Sequence, residues 1–401
     1  MVEKIEIERL PIQIIDGDRG KNYPHQNELL EKGDCLFLSA KNVTSNGFLF
    51  TEKQFITADK DALLRNGKLC RGDIVITTRG TVGNVAYYDN DVPFENVRIN
   101  SGMLIVRCNN SICREYVYNV LRSDSFLTQI KSIQTGSAQP QLPKSHFLKM
   151  KIPVPELDVQ KKVAGIIGDI DKKIAINTKI NNNLMEQARI LLRIYISNSE
   201  DLQFITLGEV AEINKGTYSP KEKWPFINYL DTSSVTDGVV SELQYLDTAS
   251  DKVPSRARRK LQKNDIVFST VRPNQRHFGI ITEPVSNMLA STGFAVIRSN
   301  VAGISNELLY LCLTENMFIE QMQQIAEQST STFPSIKPSD LESCKIPSFS
   351  SDQSEELNFA LASIFSLYSM HQLENNSLSQ LRDTLLPKLM SGEIDISDID
   401  L

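Results

Sequence analysis

The chain has 401 residues, 41% of them hydrophobic and 23% charged, which are globular proportions that exclude long-range disorder and fibrous architecture. At roughly 100–200 residues per domain this length accommodates about two to three domains. A net charge of −6 excludes a uniformly basic nucleic-acid binder, although a locally basic face remains open.

No apolar run reaches the roughly 18 residues that span a bilayer, and Met1–Glu6 lacks the apolar stretch of a secretory signal. The six cysteines form no Cys-x-x-Cys pair, which speaks against a zinc ribbon or disulfide scaffold. A cytoplasmic protein without membrane contact is expected.

In chain order, Gly17-Asp18-Arg19-Gly20-Lys21-Asn22 comes first. It falls short of a phosphate loop or calcium loop and reads as a solvated turn. Ile74-Val75-Ile76 and Leu104-Ile105-Val106 read as strands, and residues 112–131 read as helix. Pro153 and Pro155 end a strand and open a long helix.

That helix carries Val163, Ile167, Ile170, Ile174, Asn177, Asn181, Leu184, Ala188, Leu191 and Tyr195 at alternating steps of four and three. This is a heptad seam that calls for a partner helix. An amphipathic helix packed on a globular core is the other reading. Thr206–Ile213 reads as a short helix entering a loop at Asn214-Lys215-Gly216.

Ile266-Val267-Phe268 and Ala295-Val296-Ile297 read as strands and 304–328 as helix. A second long helix then repeats the seam at Leu357, Leu361, Ile364, Tyr368, His371, Asn375, Leu378, Arg382, Leu385 and Leu389. Asn181 is expected to face or lie near Asn375 and to fix register at some cost in stability. Pro387 falls near the helix end, Gly392 suits its C-cap, and Glu393, Asp395, Asp398 and Asp400 form an uncompensated acidic tail.

The chain repeats itself. Gly72–Arg79 echoes Asn264–Arg272, Ser101–Arg107 echoes Thr292–Arg298, Pro140–Ser145 echoes Pro334–Ser339, and Lys151-Ile152-Pro153 echoes Lys345-Ile346-Pro347. A nearly constant offset of about 193 residues marks a tandem duplication. Each half is a β-rich mixed region followed by a helix of roughly 40 residues, near 60 Å long at about 1.5 Å per residue. Met1–Leu10 does not visibly repeat Leu202–Glu209, so the symmetry is expected to be imperfect at the start.

Catalytic motifs are missing. The four histidines are scattered without metal-ligand spacing, and there is no Gly-x-Ser-x-Gly, Gly-x-Gly-x-x-Gly or Asn-Pro-Pro-aromatic motif. Basic residues stand out instead: Lys252, Arg256, Arg258, Arg259, Lys260, Lys263, Arg272 and Arg276, against the single acid Asp265. Such a patch suits phosphates through counterion release. Arg272, Asn274, Arg276 and His277 offer forks and amides matched to guanine and adenine edges, with Arg258, Arg259 and Lys260 on the backbone. Thr78, Arg79, Thr81 and Asn84 form the counterpart turn of the first half, punctuated by Gly80 and Gly83, which by themselves read as an ordinary solvated turn.

The segments Pro140-Gln141-Leu142-Pro143-Lys144-Ser145, Lys151-Ile152-Pro153-Val154-Pro155 and Gln160-Lys161-Lys162-Val163-Ala164 resemble the join between a target recognition domain and its helix in type I restriction–modification specificity subunits. Leu381–Glu393 is similar to that family's C-terminal signature, and Ile14–Pro24 and Ser269–Arg276 resemble its recognition segments.

The resemblance spans nearly the whole chain. It implies an α+β protein with two pseudo-repeated mixed α/β target recognition domains (1–152 and 201–346), separated by two long antiparallel coiled-coil helices (153–200 and 347–401). Each domain would read half of a bipartite asymmetric site in double-stranded DNA, and the helices would set the spacer. The implied partners are two methyltransferase subunits and restriction–translocase subunits. The chain itself is implied to be non-catalytic and to bind no cofactor or metal; S-adenosylmethionine, ATP and magnesium would sit on partners. The rival class is an orphan DNA-binding or coiled-coil adaptor protein without an enzyme partner.

Overall fold

The computed structural model describes residues 2–133, 140–199, 202–241, 243–329 and 333–396. It contains two compact units: Met1–Ala175 together with Asn375–Leu401, and Ile176–Glu374. The division falls within both long helices, Leu157–Asn198 and Ser351–Ser391, so each unit holds a segment of each helix. No helix among the described residues is long and apolar enough to cross a membrane.

The first unit is built on an antiparallel sheet ordered Ile12–Asp16, Met103–Cys108, Asp73–Thr77, Val85–Tyr88. Successive side chains on a strand point to opposite faces. Ile74, Ile76, Leu104 and Val106 therefore join a cluster with Tyr116, Val117 and Phe126 of the following helices. Val75, Met103 and Ile105 instead meet Leu36, Leu38, Val97 and Ile99 of a second sheet. That sheet has three strands, Phe55–Ile56, Cys35–Leu38 and Val97–Ile99, the latter two parallel. A strand covered on both faces reads as an unbroken apolar run, which is why Ile74-Val75-Ile76 shows no alternation.

The second unit repeats this plan. Its antiparallel sheet runs Ala211–Ile213, Phe294–Ser299, Asp265–Ser269, Phe278–Ile281. A mixed sheet of Gln244–Asp247, Phe226–Leu230, Met288–Ser291 and Ala257–Lys260 covers one face, and helices Asn306–Thr314 and Asn316–Glu327 cover the other. Ala211–Ile213 is thus a strand and not the end of a helix; only Leu207–Val210 is helical. Pairing with Ile297–Ser299 overrides the helical bias of Glu-Val-Ala-Glu.

Both units share one buried ion pair. Asp73 receives Arg107 Nε and a terminal nitrogen at 2.8 and 2.7 Å, and Asp265 receives Arg298 at 2.7 and 2.7 Å. The two aspartates are 2% and 0% exposed. Each also accepts a backbone N–H, from Cys70 and Gln262 respectively, so neither carboxylate is buried without partners.

The N-terminal symmetry is better than the sequence suggests. Lys4–Glu6 pairs antiparallel with Lys151–Pro153, as Gln203–Thr206 pairs with Lys345–Ser348. A helical turn follows each, and the N–H groups of Ile7 and Leu207 donate to the carbonyls of Met150 and Cys344 at 2.9 and 2.8 Å. Backbone pairing preserves the repeat where side chains do not.

Within each unit the helix segments are antiparallel and pack both on each other and on the module, so the two readings of the seam are both realised. In the first unit Val163, Ile167, Leu386, Leu389 and Met390 share the core cluster. In the second, Met185, Ala188, Leu192, Leu357, Leu361, Phe365 and Tyr368 do so. Met185, Leu192, Phe365, Leu386 and Met390 lie off the predicted seam because the stripe widens to meet the module as well as the partner helix. Ile170, Ile174, Leu184, Leu191, Ile364, Leu378 and Leu385 are half-buried.

Asn177 Nδ2 donates to Glu374 at 2.7 Å. Asn181, expected to face or lie near Asn375, donates to the Tyr368 carbonyl at 3.2 Å and meets His371 Nδ1, one turn before Asn375, at 3.0 Å. At the C-terminus Pro387 lies inside the helix, and Gly392 has φ +74°, as a left-handed cap requires. Glu393 is compensated by Lys388 at 3.7 Å, and Asp398 and Asp400 lie outside the described residues.

Candidate nucleic-acid interface

In each unit one end of the antiparallel sheet gathers turns from segments far apart in sequence. In the first unit, Thr78 donates its N–H to Gly102 O at 2.7 Å and accepts from Leu142 N at 3.0 Å. Thr78 is 4% exposed, so it anchors the turn and does not offer its hydroxyl outward. Arg79 and Thr81 are exposed. Asn84 is half-buried and spends its amide on Val43 O at 2.9 Å. Gly80 and Gly83 have φ of +74° and +97°, and a Cβ on Gly83 would lie 3.2 Å from Leu127 and Ile130. This turn is packed and built on glycine, beyond an ordinary solvated loop.

Beside it, Arg19 bonds Asp16 at 3.0 Å and the Ser101 carbonyl at 3.3 Å. Gly17 is buried, and a Cβ there would sit 2.0 Å from Asn100 O. Asp18 is 8% exposed and accepts from the N–H groups of Gly20 and Arg65, both at 2.7 Å. Burial acts to raise its pKa, but these backbone bonds and the Arg65 charge outweigh burial and hold the carboxyl below its usual range. The expected solvated turn at Gly17–Asn22 is therefore packed over its first two residues. It places the half-exposed Arg19 beside Asn100–Gly102 and the neighbouring turn that carries Arg79.

In the second unit the corresponding turn runs from Thr270 to His277. Thr270 N donates to Gly293 O at 2.8 Å, and Ile336 N donates to Thr270 O at 2.9 Å, repeating the Thr78 anchors. Arg79 bridges Gln141, and Val271 bridges Ser335, so Val271 occupies the place of Arg79 and Arg272 stands one residue further on.

Arg272 and Arg276 flank the short turn Pro273–Gln275 with φ of +49° and +57°. Left-handed backbone costs a non-glycine residue about 1–2 kcal/mol, and such strain concentrates at ligand-binding sites. Arg272 is exposed, its guanidinium 4.9 Å over the Phe333 ring, and Asn274 is exposed with its N–H on Gln323.

Arg276 differs. It holds Asp237 and Asn316, each at 3.0 Å, and lies 5.2 Å over Phe278. His277 Nδ1 lies 2.6 Å from Val235 O and 3.3 Å from the Thr236 hydroxyl. These two side chains brace the turn, and Arg272, Asn274 and Gln275 are what it presents. Much of the basic run is likewise committed internally. Lys260 pairs with Glu222 at 2.6 Å over Trp224, Lys263 pairs with Glu283, and Arg258 Nε bonds Ser255 O at 3.1 Å. Lys252 and Arg256 are exposed.

The sequence matches the "Type I restriction modification DNA specificity domain" over residues 13–186 and again over 199–354. The chain belongs to the type I restriction–modification specificity family. Among similar family members, the MjaIX specificity subunit of Methanocaldococcus jannaschii is 22% identical, over 92% of this chain and 88% of its own length. The HindI specificity subunit of Haemophilus influenzae is 21% identical, over 94% and 98%. The crystal structure of an S subunit from M. genitalium shares the fold with a TM-score of 0.53 at 16% identity, covering 96% of this chain and 95% of that one.

For a specificity-family chain, a tip of exposed arginines, amides and hydroxyls on a rigid sheet is chemically suited to groove contacts. Two contributors carry no local sequence signal: Ser39–Asn42 with Asn100–Gly102 in the first unit, and Asp231–Ser234 with Thr292-Gly293 in the second. Gly80 approaches Ala40, and Gly293 approaches Thr232. The parallel strand pairing behind the antiparallel sheet sets Ser39–Asn42 beside Asn100–Gly102, and Asp231–Ser234 beside Thr292-Gly293. Among the described residues no group of His, Cys, Asp and Glu is placed to hold a metal ion.

Proposed function

We propose that this chain is the DNA-reading subunit of a type I restriction–modification complex, acting in the cytoplasm. Each module reads one half of a bipartite, asymmetric duplex site through its tip, and the helix pair makes the distance between half-sites part of the code. The observation that carries the reading is the duplicated turn after the central strand. It is anchored identically through Thr78 and Thr270, yet it presents different residues, Arg79 with Thr81 in one copy and Arg272 with Asn274 in the other. Phosphate contacts would orient each module, and base-edge contacts would specify.

Partner docking fits the outer faces of the helices. Ile176, Ile180, Ile190 and Ile194 on the first, and Phe359, Leu367, Met370 and Leu373 on the second, stay exposed within their unit. Exposed apolar stripes of this extent mark protein interfaces. Two methyltransferase subunits would cover them, with restriction–translocase subunits joining, and those partners would carry S-adenosylmethionine, ATP and magnesium.

The test is co-expression with the neighbouring methyltransferase gene, followed by methylation-sensitive sequencing of host DNA. The expected result is co-purification and one bipartite methylated site. Arg79→Ala should relax one half-site and Arg272→Ala the other. Loss of both halves together in either variant would overturn the division of labour. A chain that neither co-purifies nor directs methylation would be the orphan adaptor.

A further inference from the structure

Several buried or half-buried arginines of this protein are paired with acids. Arg98 bonds Asp61 at 2.7 Å, Arg107 holds Asp73, Arg298 holds Asp265, and Arg122 pairs with Asp171. Among the described residues Arg259 has no carboxylate partner, and neither has its neighbour Arg258, whose Nε bonds the Ser255 carbonyl. Arg259 lies half-buried on the strand Ala257–Lys260, in register with Ala290, a member of the apolar cluster formed with Leu230, Val235, Val267 and Phe294. Its Nε is buried and has no hydrogen-bond partner among the described residues. Burial is the one influence on its titration, lowering its pKa, with no carboxylate acting on it. Its neighbours on the strand are already engaged, Lys260 by Glu222 and Arg258 by Ser255. A buried guanidinium N–H without a partner is costly unless an acceptor arrives from outside.

The first module shows how that place is filled when no anion is needed. Strand register equates Ile14 with Ile213, through Val106 and Ile297, and hence Asp18 with Thr217. It equates Lys68 with Lys260, through Arg98 and Leu289, and hence Gly67 with Arg259. Arg259 bridges Thr217. The first module thus carries its own buried carboxylate, Asp18, satisfied by backbone N–H groups, where the second has Thr217 in backbone pairing with Arg259.

We propose that Arg259, with Thr217 beside it, is a built anion site in the second module that takes one phosphodiester of the DNA backbone. The first module carries Gly67 at the place of Arg259. Such an anion site rests on the DNA-reading function proposed above and deepens it: the two modules grip the backbone unequally. The guanidinium fork matches a phosphate bidentately, and occupation releases one counterion.

The full-length chain is titrated with random-sequence duplex DNA across a salt series, as wild type, Arg259→Gln and Thr217→Asp. Thr217→Asp imports the first module's carboxylate and neutralises Arg259 internally. Both variants should bind DNA about tenfold more weakly at low salt, with the log–log salt slope reduced by about 0.9. Thr217→Asp should at the same time raise the thermal midpoint, an outcome that mere misfolding cannot produce. Wild-type affinity and slope in both variants would overturn the site while leaving the DNA-reading function standing. No DNA binding by the wild type would overturn both. Inorganic phosphate that raises the thermal midpoint of wild type but not of Arg259→Gln, with unchanged DNA slopes, would assign the site to free phosphate and overturn the DNA occupant.

Discussion

The two modules keep the same frame and close its tip by opposite means. Both hold the central strand with a buried Asp–Arg pair and anchor the following turn through a threonine backbone. The first then turns on glycines at +74° and +97°, a conformation that costs glycine nothing. The second turns on Pro273 between two left-handed arginines, with Asp237 and Asn316 bracing Arg276 and Val235 bracing the neighbouring His277. A frame that stays fixed while its loops differ lets one fold present two chemistries. Among the described residues it also confines left-handed non-glycine backbone to the second module, the exposed Arg272 included.

Breaking the shared frame should have the largest effect. Asp265→Ala removes the carboxylate that satisfies Arg298 and the Gln262 N–H, at a cost of about 3 kcal/mol in unfolding free energy measured by denaturant titration. Asp73→Ala should cost about as much, and a loss confined to one module would deny that the pair is common structure. A smaller contrast separates the turns. Gly83→Ala should destabilise the first module by about 1–2 kcal/mol, because the new methyl meets Leu127 and Ile130. Arg272→Gly should stabilise the second by about 1 kcal/mol while erasing its half-site in a methylation readout. Destabilisation by Arg272→Gly would remove strain from the argument.

The smallest difference concerns acid. Asp61 sits among Lys68 and Arg98; burial acts to raise its pKa, but those two partners prevail and lower it. A folded value below the unfolded one gives stability that is present above about pH 4 and lost as pH falls through the folded value. The second module has Leu289 where Arg98 stands, so hydrogen exchange below pH 4 should open strands Cys35–Leu38 and Val97–Ile99 before Phe226–Leu230. Simultaneous opening would count against that reading.

What was legible in the sequence follows from range. The duplication, the central strands and the helix seam are written in local periodicity and in offset, and the structure carries them all. The first strand's match to Gln203–Thr206 was invisible because backbone pairing does not need matching side chains. Ala211–Ile213 carries a helical bias in its local sequence, while the strand partner that overrides it lies some eighty residues away. At the candidate site Arg79 and Arg272 lie exposed on the turns after the central strands. Arg276, His277 and Asn84 looked like equal candidates, since composition cannot tell a presented side chain from one spent on Asp237, Val235 or Val43. Lys260 and Lys263 read as free charge in sequence, but Glu222 of a short helical turn and Glu283 of a loop neutralise them.

The division of the chain also orders its birth. The second unit, Ile176–Glu374, is one continuous stretch, whereas the core of the first needs Leu386, Leu389, Met390 and Ile396 from the far end of the chain. A nascent polypeptide leaving the ribosome therefore holds every residue of the later module before it can close the earlier one. The module synthesised first is finished last, and until then its helix face at Val163 and Ile167 is a surface for chaperones to guard.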